Sequence, residues 1–228
     1  MVSMSFINAA TAVLALASQA SAAPAKREEP GLSKVAQLLL AETSIERYEI
    51  LSDDKDFMFD FTKSDTPIPT RKSFPALTGV GTSLVVGQMP GCSMAFVHLH
   101  PRAHELFAVV EGRVVSEMIP EVAIRDKDGN QRVVRTELGP SQMTIFPQGS
   151  FHTTVNPDCG NATMAVAFTS EDAGTGVVAG GALAFSDDVV SRSFGGSIAG
   201  EDIDRVRDAI PKGMEILIDE CLAKCNKE

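Results

Sequence analysis

His98-Leu99-His100-Pro101-Arg102-Ala103-His104-Glu105 holds three of the four histidines of this 228-residue chain, and the fourth, His152, closes Pro147-Gln148-Gly149-Ser150-Phe151-His152. Such clustering points to a metal site, with three neutral imidazoles and one carboxylate around a divalent cation. Residues two apart on a strand point the same way, so His98 and His100 project together and Leu99 points away. Pro101-Arg102 marks a bend, because proline donates nothing to a ladder. Glu105 opens the next strand, sharing a face with Phe107 and Val109, and Gly112 closes that region. Pro147-Gln148-Gly149 is a tight turn that aims His152 inward from a distant strand. Four ligands facing one barrel interior leave roughly two open positions on an octahedral ion. Those positions admit water, dioxygen, superoxide or a small chelating molecule. His104 points opposite Glu105, which makes it a surface or outer-sphere histidine. Asn156 and Arg102 read as turn-holding residues.

Outward from these segments, short apolar runs alternate with turn signals from Gly79 onward. The runs are 82–86, 94–100, 106–110, 114–119, 123–124, 132–136, 142–146, 151–155 and 163–168, with Asp128-Gly129-Asn130 as a hairpin turn. This cadence predicts an all-β sandwich or jelly roll, in a barrel domain spanning 50–185. Met94, Met118, Met143 and Met164 read as core filler. Before the barrel, 32–41 has helical spacing, and 53–62 reads as a strand with Phe57, Phe59 and Phe61 on one side. After it, Gly174–Gly181 and Gly195–Gly200 are loops. A helical segment over 198–225 comprises 201–209 and 211–223, with Pro211 in the first turn of the second helix. Ile203, Val206, Ile210, Met214, Leu217, Ile218 and Leu222 form its apolar stripe.

The net charge of −10 makes nucleic acid an unfavourable partner. Ala9–Ala17 is too short to span a bilayer and ends in Ala20-Ser21-Ala22, so residues 1–22 read as a secretory signal peptide. Residues 23–27 then form a short propeptide ending in Lys26-Arg27. No later stretch suits a membrane span. Four cysteines in a secreted chain make two disulfides. Cys92 precedes His98 by six residues and Cys159 follows His152 by seven. Antiparallel strands sharing one ion therefore bring these two cysteines together. That predicts Cys92–Cys159 and leaves Cys221 with Cys225, or each with another chain. Asn161-Ala162-Thr163 is an N-glycosylation sequon.

The stretch 92–112 resembles the first motif of the germin-like and spherulin-like cupins, H-x-H-x4-E-x6-G, at His98, His100, Glu105 and Gly112. Pro147, Gly149, His152 and Asn156 are similar to the second, P-x-G-x2-H-x3-N. The cysteines Cys92, Cys159, Cys221 and Cys225 resemble those of the spherulin branch. The resemblance implies a β jelly-roll cupin with manganese at His98, His100, Glu105 and His152. It also implies extracellular or cell-wall residence, and homo-oligomers built with the C-terminal helices. Two positions depart from the motifs' leading glycines. Cys92 stands at the first, with Gly91 beside it, and Ser141 at the second, where Gly139 is expected to take the turn. His104 replaces the usual Thr or Ser.

Oxalate-oxidising germins carry asparagines ahead of the first histidine, and between Arg71 and His98 this chain has none. Oxalate is thus a disfavoured substrate. The donor set itself suits manganese, iron, nickel or zinc, and intrinsic affinity favours copper or zinc, so manganese rests on the resemblance. Two readings lead: a secreted manganese cupin with superoxide dismutase activity, and a non-catalytic wall, spore or stress protein that uses the ion as a clamp. A third is an oxidase or dioxygenase with Phe96, Phe107, Val109, Phe146 and Phe151 lining a pocket. Sugar binding lacks platforms, since the chain has no Trp and one Tyr, Tyr48.

Overall fold

The computed structural model describes residues 31–64 and 66–225; the expected signal peptide and propeptide lie outside them. Helices α1 (Lys34–Leu40) and α2 (Ser44–Ile50) open the described chain, each started by a hydroxyl cap: Ser33 accepts from the Ala36 amide and Thr43 from the Glu46 amide. The strand expected over 53–62 is absent. Two 3-10 turns, Asp54–Phe57 and Phe61–Lys63, replace it. Asp53 and Asp60 cause this, since their carboxylates accept the Lys55 and Thr62 amides and divert the backbone from any ladder. The phenylalanines pack on one another, Phe59 against Phe61 at 5.0 Å and Phe74 at 5.6 Å between ring centroids.

The strands are β1 (Ser83–Met89), β2 (Ser93–Ala95), β3 (His98–Leu99), β4 (Glu105–Glu111), β5 (Val114–Ile119), β6 (Val134–Leu138), β7 (Gln142–Phe146), β8 (Phe151–Asn156), β9 (Ala162–Phe168), β10 (Gly176–Val177) and β11 (Glu215–Leu217). After β10 come α3 (Val178–Leu183), α4 (Asp187–Ser193) and α5 (Glu201–Ala209), and after β11 comes α6 (Asp219–Cys225). One antiparallel sheet runs β1-β9-β4-β7. In the other, β8 is central. It pairs with β5 on one side, which pairs with β6, and with both β2 and β3 on the other. The strands β11 and β10 extend that edge beside β2 and β3. Alternation buries Glu105, Phe107 and Val109 of β4 between the sheets. Phe146, Val114, Val166 and Phe168 complete this core, each worth about 1.5–3 kcal/mol of transfer free energy. The fold is the jelly roll that the cadence of runs implies.

Several local expectations are corrected. The run 123–124 forms no strand; only an isolated bridge, Arg125 to Gln131, flanks the turn, in which Gly129 is left-handed and Asp126 caps the Asp128 and Asn130 amides. The 174–181 segment carries β10 and part of α3. The helix expected over 211–223 is interrupted. Residues 215–217 instead add a strand beside β2, and only 219–225 are helical. The apolar stripe is split accordingly, with Ile203 buried against Leu183 and Val190, and Val206 exposed. Met118 is buried, whereas Met143 lies on the outer sheet surface.

The disulfide pairing is also corrected, to Cys92–Cys221 and Cys159–Cys225. The spacing argument does bring Cys92 beside Cys159: the Cys92 amide donates to Asp158 at 2.8 Å, and a Cβ on Gly91 would lie 2.1 Å from the Cys159 carbonyl oxygen. Cys221 and Cys225, however, are four apart on α6 and share one helix face. That face lies over the neighbouring pair, so each strand-end cysteine bonds upward to the helix. The Cys92 and Cys225 sulfurs are 3.4 Å apart. The two bridges staple α6 to the barrel.

Both departures from the glycine motifs have a backbone signature. Cys92 (φ 54) and Ser141 (φ 65) are the non-glycine residues with positive φ among those described. Ser141, rather than Gly139, takes the left-handed position, and its amide donates to Val109 at 2.9 Å. A side chain there costs roughly 1–2 kcal/mol, partly offset by the restriction it places on the unfolded chain. Ser141→Gly is therefore expected to stabilise the fold by about 0.5–1 kcal/mol, raising Tm by about 2 °C in a thermal melt. An unchanged or lower Tm would refute the strain assignment.

Candidate metal centre

The pairing register builds the site. His98 on β3 lies opposite His152 on β8, and Met118 on β5 lies on the other side of His152. Glu105 begins β4 in the facing sheet, paired with Phe146 and Phe168. His100 follows β3, and its carbonyl accepts the Gly149 amide at 3.0 Å, which ties the two histidine segments together. The Ser150 amide closes the Pro147 turn at 3.0 Å, with Gly149 left-handed. All four side chains point inward, with His98 8%, His100 3%, Glu105 5% and His152 2% exposed.

Each imidazole is fixed through Nδ1. The Nδ1 of His98 lies 2.7 Å from the Phe96 carbonyl oxygen, that of His152 lies 2.9 Å from the Ser150 carbonyl oxygen, and that of His100 lies 2.6 Å from the Gly174 carbonyl oxygen. A carbonyl only accepts, so each Nδ1 carries the proton and each neutral ring turns an Nε2 lone pair to the centre. The Glu105 Oε2 lies 2.8 Å from His100 Nε2 and 3.1 Å from His152 Nε2. Four acceptors converging in a dry interior need either added protons or a cation. Adjacent donors on an ion with bonds of about 2.1 Å sit about 3 Å apart, which these separations match. One donor atom from each residue lies within 4.8 Å of all the others. The residues therefore fit a divalent transition metal.

In the absence of metal the charges arrange differently. Burial, reinforced by His152, holds the His98 imidazole down at about 4. Burial pushes the Glu105 carboxyl up, but hydrogen bonds from His100 and His152 outweigh it and hold it at about 2. Burial also opposes the charge on His100, yet the Glu105 contact and the Gly174 carbonyl raise it above the ordinary imidazole range.

Aromatic side chains wall the site. Phe146 stacks on His152 with centroids 4.2 Å apart and 8° between planes, and Phe168 meets His100 edge-on at 4.7 Å. The pocket expected from Phe96, Phe107, Val109, Phe146 and Phe151 does not assemble: Phe107, Val109 and Phe146 are closed into the core, and Phe151 faces outward on β8. His104 is exposed and outside the centre, where its Nδ1 accepts the Gln148 amide at 3.1 Å. Asn156 is fully buried and donates from Nδ2 to Met89, Pro90 and Gly160 carbonyls, holding the β8–β9 turn. Arg102 bonds the Asp172 carbonyl and carboxylate at 2.8 Å and covers Gly174. A Cβ on left-handed Gly174 would lie 2.7 Å from that guanidinium. Gly174 orients His100 through its carbonyl alone, so no side-chain motif announces it.

The Cupin family profile matches residues 61–202. The chain belongs to the cupin family. This cupin is 28% identical to Spherulin-1A of Physarum polycephalum over 89% of its own length and 82% of that protein. It is 29% identical to Spherulin-1B of the same organism, over 92% and 86%. A germin-like protein of Arabidopsis thaliana, subfamily 1 member 1, is 26% identical over 68% and 67%. Among solved structures, an oxalate oxidase in complex with the substrate analogue glycolate superposes with a TM-score of 0.60 at 18% identity, covering 71% of this cupin and 83% of that chain. Pumpkin seed globulin superposes at 0.56 and 17%, covering 66% and 37%. These superpositions speak to fold.

The His98 assignment has a pH consequence. The denatured chain takes up a proton here near 6.5 and the folded chain near 4. Between these values the denatured state binds more protons, so this residue's contribution is full above about 6.5 and is lost as pH falls towards 4. His100, shifted upward, contributes in the opposite sense: its share is full at low pH and is lost as pH rises through its folded value. In chelator, His98→Gln is expected to show a shallower fall of Tm from pH 7 to 4 than the parent chain. Equal slopes would refute the assignment.

Proposed function

We propose that the chain is a secreted manganese cupin that acts on a small oxygen species, with superoxide as the leading substrate. The observation that carries this reading is the pinning of three Nδ1–H groups by carbonyls, which turns three lone pairs and the Glu105 carboxylate to one point. His98, His100, Glu105 and His152 would hold the ion; iron, nickel and zinc suit the same donors. A bound redox-active cation would supply one-electron exchange, which converts two superoxide ions and two protons into dioxygen and hydrogen peroxide. The protein's own part is positional and electrostatic. The main-chain carbonyls hold the imidazoles in one tautomer, and Phe146 and Phe168 exclude bulk water from two of them. A centre whose protein ligands are at most 8% exposed favours a diatomic over a bulky organic substrate.

The same enclosure favours a second reading, in which the ion is a structural clamp in an extracellular wall, spore or stress protein. Oxalate remains disfavoured, because Ala95, Phe96 and Val97 stand where the approach needs amides. Two disulfides are what an oxidising compartment sustains. Accordingly, residues 1–22 would be the signal peptide, 23–27 the propeptide, 50–185 the barrel and 198–225 the C-terminal segment. Asn161 would carry N-linked glycan: it is exposed immediately before β9.

Manganese-reconstituted protein is expected to accelerate superoxide decay beyond metal-free protein and an equal concentration of free manganese. Equality with both controls would reject the enzyme, and a Tm that then falls by several degrees on chelation would establish the clamp. Metal analysis with electron paramagnetic resonance of natively purified protein decides which ion is present. For Asn161, treatment with an N-glycosidase is expected to lower the mass of secreted parent chain and leave Asn161→Gln unchanged. A parent chain of unaltered mass would reject the glycan.

A further inference from the structure

Four sulfurs meet where α6 lies against the segments that precede β2 and follow β8. All four cysteines are bridged, but their surroundings differ: Cys92 is fully buried, Cys221 and Cys225 are half-buried, and Cys159 is exposed. The two bridges also touch. The Cys92 and Cys225 sulfurs share no bond and lie 3.4 Å apart, and the sulfurs of Cys92, Cys221 and Cys225 are all within 4.8 Å of one another. The order in space is Cys221–Cys92···Cys225–Cys159, an outer bridge in contact with an inner one. Disulfides exchange by thiolate attack through a mixed disulfide, and access decides which sulfur is attacked first. Reacting atoms held roughly 3–3.5 Å apart are already at the distance from which a positioned nucleophile reacts.

We propose that Cys159 is a site of S-thiolation by low-molecular-weight thiols, and that Cys225 relays the opening to the inner bridge by taking Cys92 from Cys221. An incoming thiolate bonds to the exposed Cys159 sulfur, and the Cys159–Cys225 bond breaks with its electron pair on Cys225. The Cys225 thiolate then bonds to Cys92. The Cys92–Cys221 bond breaks with its pair on Cys221, which takes up the proton that the incoming thiol gave away. Two disulfides and one thiol stand on each side, so nothing is oxidised or reduced. Three features hold the relay in place. The Cys92 amide donates to the Asp158 carbonyl at 2.8 Å, and Arg113 grips the Asp158 carboxylate at 2.6 and 3.1 Å, which keeps Cys92 beside the Cys159 segment. The Ile218 amide donates to the Cys92 carbonyl at 2.8 Å immediately before α6, and the inner bridge is still closed at the first step, so Cys225 stays beside Cys92 once its own bond opens. The Cys221 sulfur lies 3.3 Å from the Pro157 carbonyl oxygen, which accepts from the thiol that is released. In both arrangements one cysteine of α6 is bonded to Cys92, so the helix remains tied to the barrel. The inference is independent of the metal.

The test exposes the secreted chain briefly to reduced glutathione at about pH 8, where thiols ionise appreciably. Acid stops the exchange, N-ethylmaleimide traps free thiols at mildly acidic pH, and mass spectrometry maps the peptides. Cleavage after Lys224 puts Cys221 and Cys225 on separate peptides. The expected product carries glutathione on Cys159 and maleimide on Cys221, with a Cys92–Cys225 linkage in place of Cys92–Cys221. In Cys225→Ser the same treatment is expected to leave Cys92–Cys221 closed and Cys221 unlabelled. A glutathione-bearing parent chain that keeps Cys92–Cys221 and carries maleimide on Cys225 overturns the relay. So does an opened Cys92–Cys221 bridge in Cys225→Ser, which means that thiols reach the inner bridge directly. Glutathione found on Cys221 or Cys225 instead of Cys159 overturns the site, and a parent chain that acquires none overturns the whole proposal.

Discussion

Three main-chain carbonyls govern this protein's chemistry. A histidine ring in a dry interior has two nitrogens to satisfy, and once one is bound to a carbonyl the other is committed as an acceptor. His98 and His152 find that carbonyl two residues earlier on their own chain segments, at Phe96 and Ser150. His100 must borrow one from Gly174 across the barrel. With Glu105 supplying only acceptors, the centre is a concentration of lone pairs that is unfavourable until something positive enters it. The remainder of the jelly roll holds this arrangement still, and keeps water away from it.

Much of this was readable from residue spacing. The alternation His98-Leu99-His100, the glutamate five residues on and the glycine turn before His152 bring four donors into one interior, because the strand period is two and the turn residues are unambiguous. The strands β5 and β7 match their apolar runs residue for residue. What escaped was set by tertiary pairing or by competing local bonds. The aromatic alternation of Phe57, Phe59 and Phe61 lost to aspartate caps. Residues 215–217 carry a helical stripe, yet the open edge of β2 captured them as a strand. The cysteine offsets correctly brought two strand ends together but could not reveal a helix above both. Gly174 contributes only a carbonyl, which no residue pattern encodes.

The left-handed residues show how a family pattern and a sequence departure can coexist. At Cys92 and Ser141 the barrel keeps a backbone that glycine would adopt freely, and a side chain is tolerated there. At Cys92 the reason is visible, because the side chain bonds to α6.

That bond sits at one end of a short mechanical path. The Cys92 carbonyl accepts the Ile218 amide at 2.8 Å, and the Met214 carbonyl accepts the Phe96 amide at 2.7 Å. Phe96 then presents its own carbonyl to His98. The strand that completes this edge follows residues 98, 100, 105 and 152 in the chain, so it is synthesised after all four of them. The backbone that holds His98 in place thus depends on a later-made segment and on an oxidant that closes its bridge, so the order of biosynthesis sets when this edge is complete.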